Sequence, residues 1–140
     1  MDDCPILRVG AKIMIPTILL FGLYVQFHGE YGPGGGFQAG VIVTSAFILY
    51  ALIYGLDSTR RVIPPFVPRA AAVLGVLIFA GTGLASLLAG GRFLDYDVFA
   101  GSPQKGQHWG IFTVELGVFV AVFGVMLGVF YAFVGRGRPQ

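Results

Sequence analysis

Long apolar stretches without a formal charge dominate the chain. The charged residues leave four such stretches, at 13–29, 31–56, 70–91 and 116–135. A bilayer core is about 30 Å thick and is crossed by about 20 apolar helical residues, a length that each stretch reaches with its flanks. The runs are continuous, whereas the strands of a membrane barrel alternate apolar and polar residues. We therefore predict an all-α membrane protein, a bundle of four transmembrane helices. Their expected bounds are 9–27, 37–56, 70–89 and 109–134.

The composition excludes most other classes of protein. Of the 140 residues, 56% are hydrophobic and 11% are charged, against about 25% charged in soluble domains. The net charge of +2 is too small for a nucleic-acid-binding surface. A single cysteine, Cys4, excludes an internal disulfide and a cysteine metal cluster. No nucleophile–base set and no metal-ligand spacing is present, so we expect no enzyme, cofactor or metal site. The chain is expected to be one membrane domain, 1–140.

The basic residues predict how the chain is oriented in the membrane. Seven of the nine lie at the N-terminal end of the chain, up to Lys12 in the first helix, between the second and third helices, or after the fourth. Only Arg92 and Lys105 fall on the other side. Cytoplasmic segments carry the excess of Lys and Arg. We therefore predict a multi-pass protein of a bacterial-type cell membrane with both termini in the cytoplasm.

Residues 28–40 form an unusual connector between the first two helices. Its sequence is HGEYGPGGGFQAG. Proline fixes its own φ, and glycine adopts positive φ without strain, so the segment predicts a rigid turn that other membrane elements cover. A phosphate-binding loop would need a preceding strand and, in its P-loop form, a lysine. We expect the turn motif to pack against neighbouring helices through Pro33, Gly34, Gly35, Gly36, Phe37 and Gly40.

Glu115 is the only acidic residue within a predicted span, and it lies about 10 Å into the last helix. A carboxylate there must be paired, hydrated or protonated. It is either part of a proton or cation route or a structural partner of another helix. We prefer the structural role, because one acid makes an incomplete pathway. His28 and Glu30 flank the turn, where they can pair, join a proton-handling site or lie among headgroups.

Glycines in the last helix and prolines before the third helix predict local features of packing and backbone. Gly117, Gly124 and Gly128 return to one face of the last helix at spacings of seven and four residues. Such a face lets another helix backbone approach closely. The prolines of segment 62–68 predict a stiff, extended connector before the third span.

The order of these features resembles one known family. After a short basic N-terminus and one span, His28-Gly29 leads through a few residues to the Pro-Gly-Gly-Gly-Phe sequence 33–37, followed by Gln38, Ala39 and Gly40. The chain is similar in length, layout and motif to the B subunit of the multisubunit Mrp-type sodium/proton antiporters. Its one departure is Ala39, where members often have glycine, and a small residue suffices there.

The resemblance implies a small subunit of a complex that exchanges cytoplasmic sodium for external protons. Its partners would be other antiporter subunits and the lipid bilayer. The subunit would support assembly and could line part of the ion route, while larger subunits translocate the protons. Two alternatives stay open at this point. One is a self-sufficient homodimeric proton-coupled exporter, and the other is a purely structural membrane scaffold.

Overall fold

The computed structural model describes residues 4–29, 34–95 and 101–137. Their order is α1 (Pro5–His28), α2 (Gly36–Tyr54), α3 (Leu56–Val62), α4 (Phe66–Leu88) and α5 (Pro103–Arg136). All helices except α3 are long and apolar enough to cross a membrane. The predicted all-helical bundle with four spans is therefore confirmed.

The spans pack side by side in the order α1, α2, α5, α4. The largest contact joins α4 to α5, followed by those of α1 with α2 and of α2 with α5, whereas α1 touches α5 only slightly. Helices α2 and α5 therefore occupy the middle of the bundle. The α1–α2 connector lies at one end of this central pair, and α3 lies at the other end.

A compact apolar cluster fixes α3 against α5. Leu56, Ile63, Leu127 and Tyr131 are buried together. The Tyr131 hydroxyl donates a hydrogen bond of 2.9 Å to the Ile63 carbonyl. Gly55 makes the turn from α2 into α3 with φ of +89°, a conformation that glycine adopts without steric cost. The short helix is therefore held by packing rather than by its own length.

The connector predicted as extended over 62–68 is shorter than expected, because only 63–65 lie outside a helix, with Ile63 extended. Helix α3 runs to Val62, and α4 begins at Phe66 with Pro68 in its first turn. The first N–H groups of a helix have no intrahelical partner, so a proline there removes no hydrogen bond. Helix α5 likewise begins at Pro103, well before the expected position 109.

Candidate functional site

The turn between α1 and α2 is closed by backbone contacts at glycines. Helix α1 ends at His28, and Gly29 keeps helical angles. The chain returns so that the Gly35 N–H donates a hydrogen bond of 3.3 Å to the Val25 carbonyl. Gly35 has φ of +125° and ψ of −178°, which lies outside the regions that L-residues occupy. A side chain at Gly34 would also approach that carbonyl, at 2.9 Å from its Cβ. The turn therefore requires glycine at both positions.

The Glu115 carboxylate of α5 lies directly against this turn. A Cβ built on Gly29 would be 2.9 Å from Glu115 Oε1 and 3.0 Å from Oε2. A Cβ built on Gly35 would be 3.4 Å from Oε1. One half-buried carboxylate thus occupies the space that side chains at both glycines would need. The missing side chains let a residue of the last helix contact the connector of the first two.

The position of this carboxylate is electrostatically favourable. Helix α2 begins at Gly36, and its N-cap residue, Gly35, makes no side-chain capping hydrogen bond. The free N–H groups at a helix start carry a partial positive charge that attracts anions. The negatively charged Glu115 side chain therefore lies near the N-terminus of α2, where the helix dipole stabilises a negative charge.

Helix α2 also packs backbone against backbone on α5. A Cβ on Gly36 would overlap the Glu115 carbonyl oxygen, and it would be 3.0 Å from the Phe119 nitrogen. One turn later, a Cβ on Gly40 would be 3.0 Å from the Phe119 carbonyl oxygen and from the Val122 Cβ. Both glycines therefore face α5 and determine how closely the two central helices approach.

The other residues expected at the site are placed differently. His28 is half-buried at the end of α1, and its ring stacks on Tyr24 with centroids 5.2 Å apart. Phe37 is 59% exposed and borders a shallow surface groove with Ala121 and Val122 of α5. Glu30 and Pro33 lie outside the described residues. Of the predicted ion-route candidates, Glu115 is the acidic residue that the structure describes, and its carboxylate lies against the turn.

Gln26, in the last turns of α1, was not among the residues predicted for the site. This residue is 3% exposed, and neither of its side-chain amide atoms has a hydrogen-bond partner within the described part of the chain. Gln26 and Gly29 are three residues apart and share a face of α1, and Gly29 is the residue of that face that Glu115 contacts. The available signal was a single glutamine inside an otherwise apolar run.

The side chains present do not assemble a metal site in the parts of the chain that the structure describes. Within those ranges, no group of three or more His, Cys, Asp or Glu side chains comes together. What the arrangement provides is one carboxylate, several backbone groups of a glycine turn and a buried amide. These groups can anchor a turn or contact a small cation or a proton.

Comparison with known proteins identifies the family. Residues 6–128 match the family described as a domain related to the MnhB subunit of Na+/H+ antiporter. The chain belongs to this family. The resemblance inferred from the turn motif is thereby confirmed. The family is one of transporter subunits, and the chain is a multi-pass membrane protein.

Relatives and a solved structure agree with this membership. The antiporter subunits named mnhB2 of Staphylococcus aureus strains Newman and JH1 are each 34% identical over 120 residues, which cover 84% of both chains. The fold is also similar to part of a chain in the Mrp complex from Dietzia sp. DQ12-45-1b, with a TM-score of 0.70 and 26% identity. That match covers the whole of this chain but only 16% of the other.

Proposed function

We propose that this chain is an integral-membrane subunit of a multisubunit cation/proton antiporter. Its family is named for an Na+/H+ antiporter subunit, and the similar S. aureus chains carry the name of antiporter subunits. The neighbours would be other subunits of the complex, with sodium and protons as the transported ions. Family membership favours this function over a self-sufficient homodimeric exporter.

Within the complex, the subunit presents a rigid turn that Glu115 holds in place. The observation that carries this proposal is the contact of one carboxylate with Gly29 and Gly35, which joins α5 to the α1–α2 connector. A turn fixed on both sides offers a preformed surface, so neighbouring subunits need not order it on binding. The motif residues 34–36 therefore support assembly through their shape.

One observation favours a second role, in the ion route. The amide of Gln26 is buried without a partner among the described residues, and burying a polar group in this way is costly. A buried amide can bind a cation or an ordered water, and Gln26 shares a helix face with Gly29, which Glu115 contacts. In this role, Glu115 and Gln26 would line the route, with His28 near its outer end, and Glu30 remains a sequence-based candidate for the same route.

The conservative variant Glu115→Gln separates the two roles. If the carboxylate holds the turn, the amide keeps its shape and most of its hydrogen bonds, so complex yield and antiport should change little. Glu115→Ala should then reduce the yield of the complex. Asp57→Asn, at an exposed position of α3, controls for the loss of one negative charge. Yield is measured by affinity purification and antiport by pH-sensitive dye fluorescence in membrane vesicles.

An intact complex with strongly reduced antiport in Glu115→Gln would contradict the structural role. Glu115 would then belong to the ion route. Should Glu115→Ala membranes contain a normal amount of complex, the contact with the turn would not be needed for assembly.

The orientation of the chain is part of the same proposal. The beginning of α1 and the end of α2 lie together, because the Tyr54 hydroxyl donates a hydrogen bond of 3.1 Å to the Arg8 carbonyl. Arg60 and Arg61 follow on α3, and Arg136 ends α5. The basic residues therefore gather at one end of the bundle, which supports both termini in the cytoplasm of a bacterial-type cell.

A further inference from the structure

A groove at the α3 end of the bundle lies far from the turn and from Glu115. It has a volume of about 460 Å³ and is bordered by α3, α4 and α5. Two arginines stand at one end, and small or apolar residues form the walls. The lining includes Arg60, Arg69, Pro65, Pro68, Val125 and Val129. None of the described residues that line it is acidic.

Arg60 is held in the groove by its surroundings. Its guanidinium carbon lies 6.0 Å from the centre of the Tyr131 ring, a distance typical of a cation–π contact. That ring is itself fixed by the hydrogen bond from its hydroxyl to Ile63. The Arg60 Nε is buried and has no hydrogen-bond partner among the described residues. The groove therefore contains a fixed positive charge with an unused donor.

The start of α4 adds to the positive character of the same end. Pro65 is the N-cap residue and provides no side-chain cap, and it lines the groove with Pro68. The partial positive charge of a helix start favours bound anions, although here Pro68 has no N–H and the Val67 N–H donates a hydrogen bond of 3.0 Å to the Pro64 carbonyl. Two arginines and the positive end of the α4 dipole thus border the same groove.

The rest of the groove suits a hydrocarbon chain rather than a free ion. Val125 and Val129 lie one turn apart on α5, and about half of each side chain is exposed on the outer surface. Gly124 and Gly128 leave the groove without side chains on its inner wall. A charged end near the membrane surface followed by an open apolar wall matches a phospholipid headgroup and its acyl chain.

We propose that this groove binds an anionic phospholipid. Its phosphodiester would accept hydrogen bonds from Arg60 and Arg69, and one acyl chain would lie against Val125 and Val129. The proposal does not depend on the antiport function or on Glu115. It assigns to α3, which is too short to span the membrane, the task of presenting an arginine to the headgroup layer.

The test is photolabelling of the complex that the chain forms, reconstituted in phosphatidylcholine vesicles. The vesicles contain either phosphatidylglycerol or phosphatidylcholine with a photoreactive acyl chain, and labelling of the peptide that contains 125–129 is quantified by mass spectrometry. Wild type should prefer the anionic lipid. Arg60→Gln and Arg69→Gln should each lower that preference about fivefold, the effect of one basic residue near an anionic headgroup.

Three further variants make the result specific. Arg61→Gln, at the exposed neighbouring position of α3, removes the same charge outside the groove and should leave the preference close to wild type. Arg60→Lys should retain part of it. Gly128→Leu should block labelling by both lipids. The nearest atom to a Cβ at Gly128 is 3.9 Å away, so the added side chain can enter the groove without displacing a helix.

Several results would overturn the proposal. Equal labelling by the two lipids in wild type would exclude recognition of the anionic headgroup. An equal loss in Arg61→Gln and Arg60→Gln would indicate a diffuse surface charge. Competition by inorganic phosphate would indicate a free-anion site, and crosslinking of 125–129 to another polypeptide in place of lipid would indicate a subunit interface.

Discussion

Gly124 and Gly128 share one face of α5, yet they should respond in opposite ways to the same substitution. A Cβ on Gly124 would overlap the Ala72 nitrogen and lie 2.5 Å from the Pro68 carbonyl oxygen. A Cβ on Gly128 would meet only the Pro68 Cβ, at 3.9 Å, an ordinary contact. The two positions are one helical turn apart, so each is a matched control for the other.

The expected magnitudes follow from these distances. Replacing glycine by alanine inside a helix is favourable by about 1 kcal/mol, and Gly128→Ala should gain about this amount. At Gly124 the obstructing atoms belong to the α4 backbone and cannot rotate away, so we expect the upper part of the usual overpacking cost, about 3 kcal/mol. The net loss for Gly124→Ala is then about 2 kcal/mol, and the two variants should differ by about 3 kcal/mol.

The assay is unfolding of the purified chain in mixed micelles by titration with sodium dodecyl sulfate. Helix content is followed by circular dichroism, and the free energies of unfolding of both variants are compared with wild type. Equal destabilisation by the two variants would refute the reasoning, since it would mean that both glycines support one close helix contact. Stabilisation by Gly124→Ala would show that α4 can move away at little cost.

Three other changes test the turn, the topology and the buried amide. Gly35→Val should lower the yield of affinity-purified complex far more than Gly101→Val, because Gly35 has φ of +125° and contacts Glu115, whereas a Cβ on Gly101 meets nothing within 4 Å; equal yields would show that the turn is a mere linker. In a Cys4→Ser background, which removes the exposed native thiol, an impermeant maleimide should label Gln104→Cys from outside and Arg136→Cys only from the cytoplasm; reversed labelling would invert the orientation. Gln26→Leu should raise the thermal midpoint of the purified complex, because it removes an unsatisfied amide whose burial costs about 1–3 kcal/mol; an unchanged or lower midpoint would indicate that the amide is satisfied within the complex.

The four spans could be predicted from the sequence because the bilayer dictates their length and apolar character. Helix α3 and the start of α4 could not, because they depend on local packing. Four continuous apolar stretches require four helices, since only helices and closed barrels satisfy the backbone in lipid and barrel strands would alternate apolar and polar residues. Helix α3 has seven residues, too few for a periodic signal, and it is stabilised by burial of Leu56 and contact with α5. The prolines before α4 are typical helix breakers, but Pro68 falls in a first turn, where a proline breaks no hydrogen bond.

The sequence predicted a tight turn between α1 and α2, but it did not predict that the turn contacts Glu115. The glycines and proline of segment 33–36 indicate a tight, covered turn from their backbone chemistry alone. No pattern connects that segment with Glu115, some eighty residues later in the sequence. Their contact exists because α2 and α5 are neighbours, which depends on the packing of Gly36 and Gly40 against the α5 backbone.

The placement of Glu115 follows from close contacts on both sides of α5. A Cβ on Gly117 would be 3.1 Å from the Gly75 carbonyl oxygen of α4, while α2 approaches the Phe119 carbonyl oxygen through Gly40. Helix α5 therefore cannot shift toward one neighbour without withdrawing from the other. Because Glu115 precedes these contacts by less than two turns, its carboxylate is held at one depth and directed at the turn. The backbone contacts of α5 with α2 and α4 therefore help to fix the location of Glu115 in the bundle.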